Sequence, residues 1–191
     1  MKRDLAICKD KFQSSFLSYE KDMELILKKL FITSRPFDAD LKRLLVINTK
    51  DCMDPDNEIY KAKIEQMTLP KLIEEGYVNT APRVEIDEHG EMKSYIVITM
   101  DDFTPNGTNP KFRDCSLIFD ILCPTTQWDL GNYQIRPLKI VGYIDAIFNE
   151  AKLSGIGTLN FIGCAMNHAN DDLAGYTLMY RAVHGSEDET E

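Results

Sequence analysis

Histidine, cysteine and carboxylate side chains supply most metal and catalytic sites, and this sequence spaces them widely. His89, His168 and His184 lie far apart, and each falls in a turn or near the C-terminal end. Zinc sites bring His and Cys together at short spacing, so the pattern predicts none. His168 with Asp171 and Asp172 would make at most a weak carboxylate site, and a solvated hairpin turn explains these residues better.

The cysteines likewise lack the pairing that redox or zinc chemistry requires. No C-x-x-C sequence occurs among them, and their number is odd: Cys8, Cys52, Cys115, Cys123 and Cys164. Two of them fall in an apolar run that is typical of a strand. We interpret the cysteines as buried, reduced thiols that pack as small hydrophobic side chains.

Other combinations that could do chemistry also lack their partners. Asp101 and Asp102 lead a loop rich in Pro, Asn and Gly, but this loop lacks the alternating ligands and closing Glu of an EF-hand. The glycines of residues 155–157 follow a predicted helix, whereas phosphate binds at a helix N-terminus. No G-x-S-x-G sequence is present. We therefore predict a chain that is not an enzyme and needs no metal or cofactor.

The composition limits the classes of protein to which this chain can belong. The chain has 191 residues, of which 43% are hydrophobic, so it can bury a substantial core. Its formal net charge of -9 disfavours binding to nucleic-acid phosphates, which requires clustered Lys and Arg. No apolar run approaches the length of about 20 residues that a membrane-spanning helix needs. The segment after Met1 is too short and mixed for a signal peptide, so we expect a protein made and used in the cytoplasm.

The first half of the chain is predicted to be mainly helical. Met23, Ile26, Leu27, Leu30 and Phe31 follow the spacing of one helix face. Helical or partly helical segments are expected at 15–32, 58–66 and 69–75, with a helix entry followed by an extended stretch at 40–49.

The second half changes to the two-residue periodicity of strands. Strands are predicted at 83–86, 95–100, 115–123, 156–166 and 173–183, and a helix at 136–153. Two loops, Asp101–Asp114 and Thr125–Gln134, separate these elements. The run 115–123 is apolar almost throughout, which indicates a central strand covered on both faces.

These elements define an α+β fold. We expect a mostly antiparallel sheet flanked by an N-terminal helix and a second long helix, with a helical insertion at 37–82 between the first helix and the sheet. The whole chain, 1–191, is interpreted as a single domain with a flexible acidic tail at 185–191.

The order of the C-terminal elements resembles the tail terminator and neck (head-tail joining) proteins of tailed bacteriophages. The segments DCSLIFDILCP (114–124), RPLKIVGYIDAIFNEAKL (136–153), GIGTLNFIGCAM (155–166) and GYTLMYRAV (175–183) carry the resemblance. In those proteins a strand leads to a second helix, and a final pair of strands carries a Gly-aromatic-x-Leu element like the one at 175–178. Phe37–Pro82 departs from their compact form, as an insertion would.

The resemblance implies a mechanical role in the virion neck after assembly in the host cytoplasm. Such subunits form a homo-oligomeric ring, usually a hexamer, that caps the tail tube protein and offers a surface to the head connector. DNA passes through the ring without specific binding, and no cofactor or membrane is involved. An acidic lumen would let DNA pass without sticking, which suits the net charge of -9.

The two predicted loops and the neighbouring aromatic residues are the expected interface. The residues are Asp101, Asp102, Phe103, Asn106, Lys111, Phe112, Trp128, Tyr133, Tyr176 and Tyr180. A head-completion or connector adaptor of the neck is an alternative of the same class. A small ligand-binding or enzymatic domain without a recognisable motif is the alternative of a different class, and it would need a deep pocket beneath Asp101–Asp114.

Overall fold

The computed structural model describes Phe16 and residues 19–31, 36–81, 92–108, 112–153 and 156–184. The helices of these ranges are α1 (Tyr19–Leu30), α2 (Pro36–Val46), α3 (Glu58–Glu65), α4 (Leu69–Glu74) and α5 (Arg136–Phe148), with a 3-10 turn at Thr125–Gln127. The strands are β1 (Val78–Asn79), β2 (Tyr95–Pro105), β3 (Arg113–Pro124), β4 (Lys152–Leu153), β5 (Gly157–Thr158), β6 (Asn160–His168) and β7 (Leu173–His184). None of the described helices is long and apolar enough to cross a bilayer.

The helices of the first half begin and end where their local sequence favours it. In α1, acidic residues occupy the first turn and Lys28 and Lys29 the last, an arrangement that complements the helix dipole. In α3, the Asn57 side chain accepts hydrogen bonds from the backbone N–H groups of Ile59 and Tyr60, at 3.1 and 3.2 Å, and so caps the helix. These local signals explain why the predicted helices are found in this part of the chain.

The main sheet has five strands in the order β1-β2-β3-β7-β6. All neighbours are antiparallel except β1 and β2, which are parallel. The central strand β3 pairs along its length with β2 on one side and β7 on the other, so that Ile121 lies opposite both Ile96 and Tyr176. The predicted α+β class with a mostly antiparallel sheet is confirmed.

One face of the sheet carries most of the core. Phe119 of β3 and Leu178 of β7 are fully buried against α5, where the ring of Phe148 lies 4.9 Å from that of Phe119. Gly175 has a separate role, because a Cβ atom there would stand 1.8 Å from the carbonyl oxygen of Ile121. Only glycine therefore allows β7 to approach β3 so closely at this point.

The buried side chain of Arg136 joins the two halves of the chain. Its Nη1 donates to the carbonyl oxygens of Leu44 and Ile47 at 2.6 and 2.8 Å, and its Nη2 donates to that of Thr49 at 2.8 Å. Its Nε donates to the carbonyl oxygen of Gln127 at 2.9 Å. The carbonyls at the end of a helix lack intrahelical partners, and a cation there also complements the helix dipole. Arg136 thus holds the end of α2 against the start of α5.

Several sequence predictions are corrected by this arrangement. Half of the predicted loop Asp101–Asp114 is strand, because β2 continues to Pro105 and β3 begins at Arg113. A bulge lies within β2 between Asp101 and Thr104, where the register shifts and Asp102 has a positive φ of 58°. Asp101 and Asp102, which suggested a turn, instead lie within a strand that pairs with β3 on both sides of the bulge.

Three element boundaries also differ from prediction. The last turn of α2 occupies much of the stretch expected to be extended, since Arg136 caps that end. The long helix ends at Phe148, because Asn149 is extended and Glu150 has a positive φ of 57°. The strand predicted at 156–166 is divided into β5 and β6. The predicted strand at 83–86 and the tail at 185–191 lie outside the described residues.

We expect Arg136→Met to destabilise the fold strongly. The substitution removes the donors for four buried or partly buried carbonyl groups, and we expect a loss of about 3 to 5 kcal/mol in the free energy of unfolding. Urea unfolding measures this loss, and Arg181→Met, at an exposed position, is the matched control with an expected change within about 0.5 kcal/mol. Equal losses for the two variants would contradict the structural role of Arg136.

We also expect stability to fall at alkaline pH through Tyr180. Burial, followed by the hydrogen bond to Asp145, raises the pKa of Tyr180 above its ordinary value of 10.0. The unfolded chain therefore ionises first, so stability is complete below about pH 10 and decreases as the pH rises further. Tyr180→Phe should cost about 1 to 2 kcal/mol at neutral pH and lose less stability at alkaline pH. Urea unfolding measures the free energy of unfolding of both proteins across this pH range. If it fell with the same slope in both, the role assigned to Tyr180 would be wrong.

Candidate functional site

The described residues bring no group of three or more His, Cys, Asp or Glu side chains together to hold a metal. The cysteine prediction is confirmed for Cys52, Cys115 and Cys123, which are buried thiols. Burial raises the pKa of Cys123 to about 11, which disfavours the reactive thiolate. Cys164 is free but exposed, and Cys8 lies outside the described residues.

The predicted interface residues lie at two opposite ends of the sheet. The hairpin between β2 and β3 carries one group, namely Asp101, Asp102, Phe103, Asn106 and Phe112. The segment between β3 and α5, together with β7, carries Trp128, Tyr133 and Tyr176. Asp101 and Tyr176 pair with positions 116 and 121 of the central strand, so five residues, or roughly 17 Å at about 3.3 Å per residue, separate them along it. Lys111 lies outside the described residues.

At the hairpin end, the predicted residues differ in exposure. Asp101 and Asp102 are exposed at the bulge. Phe103 is half-buried, and its ring lies 4.9 Å from that of Phe16 in an edge-to-face arrangement. Asn106 supports the turn, because its Nδ2 donates to Asp114 at 2.7 Å and its Oδ1 accepts from the N–H of Thr108 at 3.0 Å. Asn106 and Phe103 are thus engaged within the chain.

At the other end, Trp128 and Tyr176 also have internal contacts. The indole Nε1 of Trp128 donates to the carbonyl oxygen of Cys123 at 3.3 Å, and its ring centroid lies 6.3 Å from that of Tyr176. Tyr180 was predicted to be an interface residue, and the prediction that it contacts a partner directly is wrong. Its side chain is fully buried, and its hydroxyl donates to Asp145 at 2.8 Å.

Tyr133 is the predicted residue that the structure presents most openly. It is fully exposed at the tip of a turn in which three successive residues, Gly131, Asn132 and Tyr133, have positive φ angles of 77°, 50° and 61°. Such angles suit glycine and are tolerated by asparagine, but they strain a tyrosine backbone by about 1 to 2 kcal/mol. The strain persists because the turn is held closed at its base.

Hydrogen bonds at the base of this turn hold its shape. The N–H of Leu130 donates to the carbonyl oxygen of Gln134 at 3.0 Å, and Asp129 accepts from the N–H of Gly131 at 2.8 Å. Lys50 forms an exposed ion pair of 2.6 Å with the other carboxylate oxygen of Asp129. Strained backbone that the surrounding structure holds in place clusters at active sites, ligand contacts and switch regions.

Two more apolar side chains extend the surface beside Tyr133. Ile135 and Leu138 are exposed, and a shallow cavity of about 330 Å³ is lined by Tyr133, Gln134, Ile135, Leu138 and Lys139. We name Tyr133, Ile135 and Leu138 the tyrosine-turn patch. Sequence reasoning did not select the last two. The signal for Leu138 was available, because it lies beside the regular helical spacing of the buried residues Ile140, Ile144 and Ile147.

A family model matches this chain over residues 38–182, most of its length. This chain belongs to the YomW family. That family is phage-derived, of the kind found in Bacillus phage SPBeta, so the chain is phage-associated. No curated protein matches it.

The extent of the family match bears on the segment predicted as an insertion. The match begins at residue 38 and ends at residue 182, within β7, so it includes almost all of 37–82. Helices α2, α3 and α4 are therefore part of what the YomW family shares. The tyrosine-turn patch also lies within the matched residues.

We expect Tyr133→Asn to stabilise this YomW-family chain. Asparagine tolerates a positive φ better than tyrosine does, so the free energy of unfolding should rise by up to about 1 kcal/mol. Tyr133→Phe is the control, because it keeps the strained ring-bearing residue and should leave stability unchanged. Urea unfolding of the three proteins decides the matter, and a marked loss of stability in the asparagine variant would show that the Tyr133 side chain has a structural role.

Proposed function

We propose that this YomW-family chain is a structural virion subunit that resembles a phage tail terminator. In this role it forms a ring that caps the tail tube and joins it to the head connector, and it has no enzymatic activity. Three features support the proposal: the phage-derived family, the α+β fold with the element order that prompted the resemblance, and two unlike surfaces at opposite ends of the sheet.

The observation that carries the proposal is the exposed, strained Tyr133. A fully exposed tyrosine beside Ile135 and Leu138 gives a solvent-facing apolar anchor, and tyrosine is among the residues that contribute most to protein interfaces. If the domain acted alone, a substitution of Tyr133 would remove backbone strain of about 1 to 2 kcal/mol at no cost to function. A binding role gives a physical reason to keep this residue here.

The two ends of the sheet suit two different neighbours. The tyrosine-turn patch is apolar and would make the lasting contact that stops polymerisation of the tail tube protein. The hairpin end presents Asp101 and Asp102, whose negative charge repels nucleic-acid phosphates. We assign that end to the connector side and the lumen, where DNA passes without being bound.

The proposal also includes a ring made of copies of this chain. A ring forms when one patch of a subunit binds a different patch of its neighbour and the rotation between them closes. The partners of the chain in this proposal are therefore copies of itself, the tail tube protein and the head connector, and the ring is a hexamer located in the virion neck.

Negative-stain microscopy with tail tubes tests the proposal. We expect rings at tube ends and arrested tube growth, and we expect Tyr133→Asp to weaken tube binding at least about tenfold, since desolvating a carboxylate against an apolar surface is unfavourable. Ile59→Asp is the matched control, because Ile59 is 78% exposed on α3 and lies outside the patch. Binding to isolated portals but not to tubes would indicate an adaptor instead, and binding to neither would overturn the proposal.

A further inference from the structure

One short segment of the chain holds the strained turn of the tyrosine-turn patch from both sides. The carbonyl oxygens of Ile47 and Thr49 each accept a hydrogen bond of 2.8 Å from the side chain of Arg136, where the turn ends. The Nζ of Lys50 donates to Oδ2 of Asp129 at 2.6 Å, where the turn begins. The segment that follows α2 therefore contacts both ends of the turn, although 79 positions separate Lys50 from Asp129.

The carboxylate of Asp129 divides its two oxygens between the turn and Lys50. Oδ1 accepts from the backbone N–H of Gly131 at 2.8 Å, while Oδ2 accepts from Lys50. The hydrogen bond from Lys50, followed by that from Gly131, lowers the pKa of Asp129 below its ordinary value of 3.8, so the carboxylate is ionised at neutral pH. Because Lys50 holds one oxygen, the carboxylate cannot rotate freely, and the other oxygen stays directed at Gly131.

The shape that Asp129 supports is unfavourable for the backbone. Gly131, Asn132 and Tyr133 have positive φ angles, and only glycine adopts such angles without a steric cost. Backbone hydrogen bonds of 3.0 and 2.9 Å within the turn act together with Asp129 to keep it closed. Since these contacts oppose the strain, weakening one of them should increase the fraction of molecules in which the turn is open.

The exposure of the ion pair separates a local role from a role in overall stability. The side chains of Lys50 and Asp129 are 69% and 64% exposed. Exposed ion pairs contribute little to the free energy of unfolding, because water and salt screen the charges and the side chains must be ordered. A small contribution is nevertheless enough to change the local opening of a strained turn severalfold.

We propose that Lys50 and Asp129 are positioning residues for Tyr133. Their ion pair holds the turn in the shape that presents the tyrosine-turn patch, and through it the segment after α2 influences how readily a partner binds there. The link to partner binding rests on the proposed function, whereas the effect on the turn does not. Helices α2 and α3 flank Lys50 and lie almost entirely within the residues that the family model matches, so this inference gives that part of the fold a role at the patch.

Hydrogen exchange of the Gly131 amide, measured by NMR spectroscopy on the full chain, tests the effect on the turn. We expect Lys50→Met to raise the exchange rate about two- to fivefold, the range that an exposed ion pair supports. Lys61→Met is the matched control, because it removes an ion pair of 2.9 Å between Lys61 and Glu58 on α3, with side chains that are 49% and 79% exposed. The control variant should exchange Gly131 at the wild-type rate.

A double-variant comparison shows whether the two residues act as one unit. Asp129→Asn keeps an oxygen that can accept from Gly131 but lacks the charge that binds Lys50. We therefore expect Lys50→Met to have no further effect on Gly131 exchange when it is combined with Asp129→Asn. Asp129→Ala removes both acceptors and should give the fastest exchange.

Salt provides a further measurement that a contact without an electrostatic role would not affect. Raising the ionic strength from about 0.01 M to about 1 M shortens the Debye length from about 30 Å to about 3 Å. We expect Gly131 exchange in the wild type to accelerate towards the rate of Lys50→Met, whereas the rate in Lys50→Met should remain constant.

Binding to tail tubes connects the turn with the proposed function. The order of the variants in tube binding should follow their order in Gly131 exchange, because the apparent affinity falls in proportion to the fraction of molecules in which the turn is closed. We expect Asp129→Ala to weaken binding to tube ends at least about threefold and Lys50→Met to weaken it less. Lys61→Met should bind as the wild type does.

The results separate this inference from the proposed function. Equal Gly131 exchange in the wild type and Lys50→Met, or additive effects of Lys50→Met and Asp129→Asn, would overturn the positioning role whether or not tubes are bound. Faster exchange in Asp129→Ala with undiminished tube binding would overturn the link between the turn and the partner and leave the proposed function standing. A wild type that binds no tubes but shows the expected exchange rates would refute the proposed function and support the effect of the ion pair on the turn.

Discussion

The buried guanidinium of Arg136 is the contact on which the arrangement of the two halves depends. It donates four hydrogen bonds to backbone carbonyl oxygens, three of them in the segment that ends α2 and one at Gln127. Because the acceptors of these bonds are carbonyl dipoles, the charge is stabilised by the end of a helix as well as by the bonds themselves. Few other side chains offer enough donors in a fixed planar array to do this.

The same residue also shapes the surface that we propose to be functional. The backbone N–H of Arg136 donates to the carbonyl oxygen of Trp128 at 2.8 Å, and its side chain fixes Gln127. Between Trp128 and Arg136 the chain closes through the strained turn that presents Tyr133. The exposed tyrosine is therefore held by the interior of the protein, which is the condition for strain to persist at a surface.

The sequence allowed the regular elements to be predicted where the information is local. The alternation in β7 and the helical spacing in α5 depend on neighbouring residues, and both elements were found with shifts only at their ends. Local patterns fail where distant residues decide the outcome. The bulge between Asp101 and Thr104 exists because β3 pairs with β2 on both sides of it. Arg136 donates hydrogen bonds to carbonyl oxygens about 90 positions away in the chain.

The candidate site illustrates the same limit. The assignment of Tyr176, Leu178 and Tyr180 to one face of β7 was correct, but periodicity cannot say how far a helix covers that face. Tyr180, which was predicted at the interface, therefore proved to be buried. The exposure of β6 escaped prediction for the same reason, since its residues look like ordinary core residues until α5 is seen to pack on β3 and β7.

The net charge of -9 gives the uncovered edge a physical context. An apolar edge strand invites nonspecific association, which a chain with this one must restrain. Repulsion between like-charged molecules opposes such random encounters, so the overall acidity of the chain offsets part of the hazard that an apolar edge strand creates.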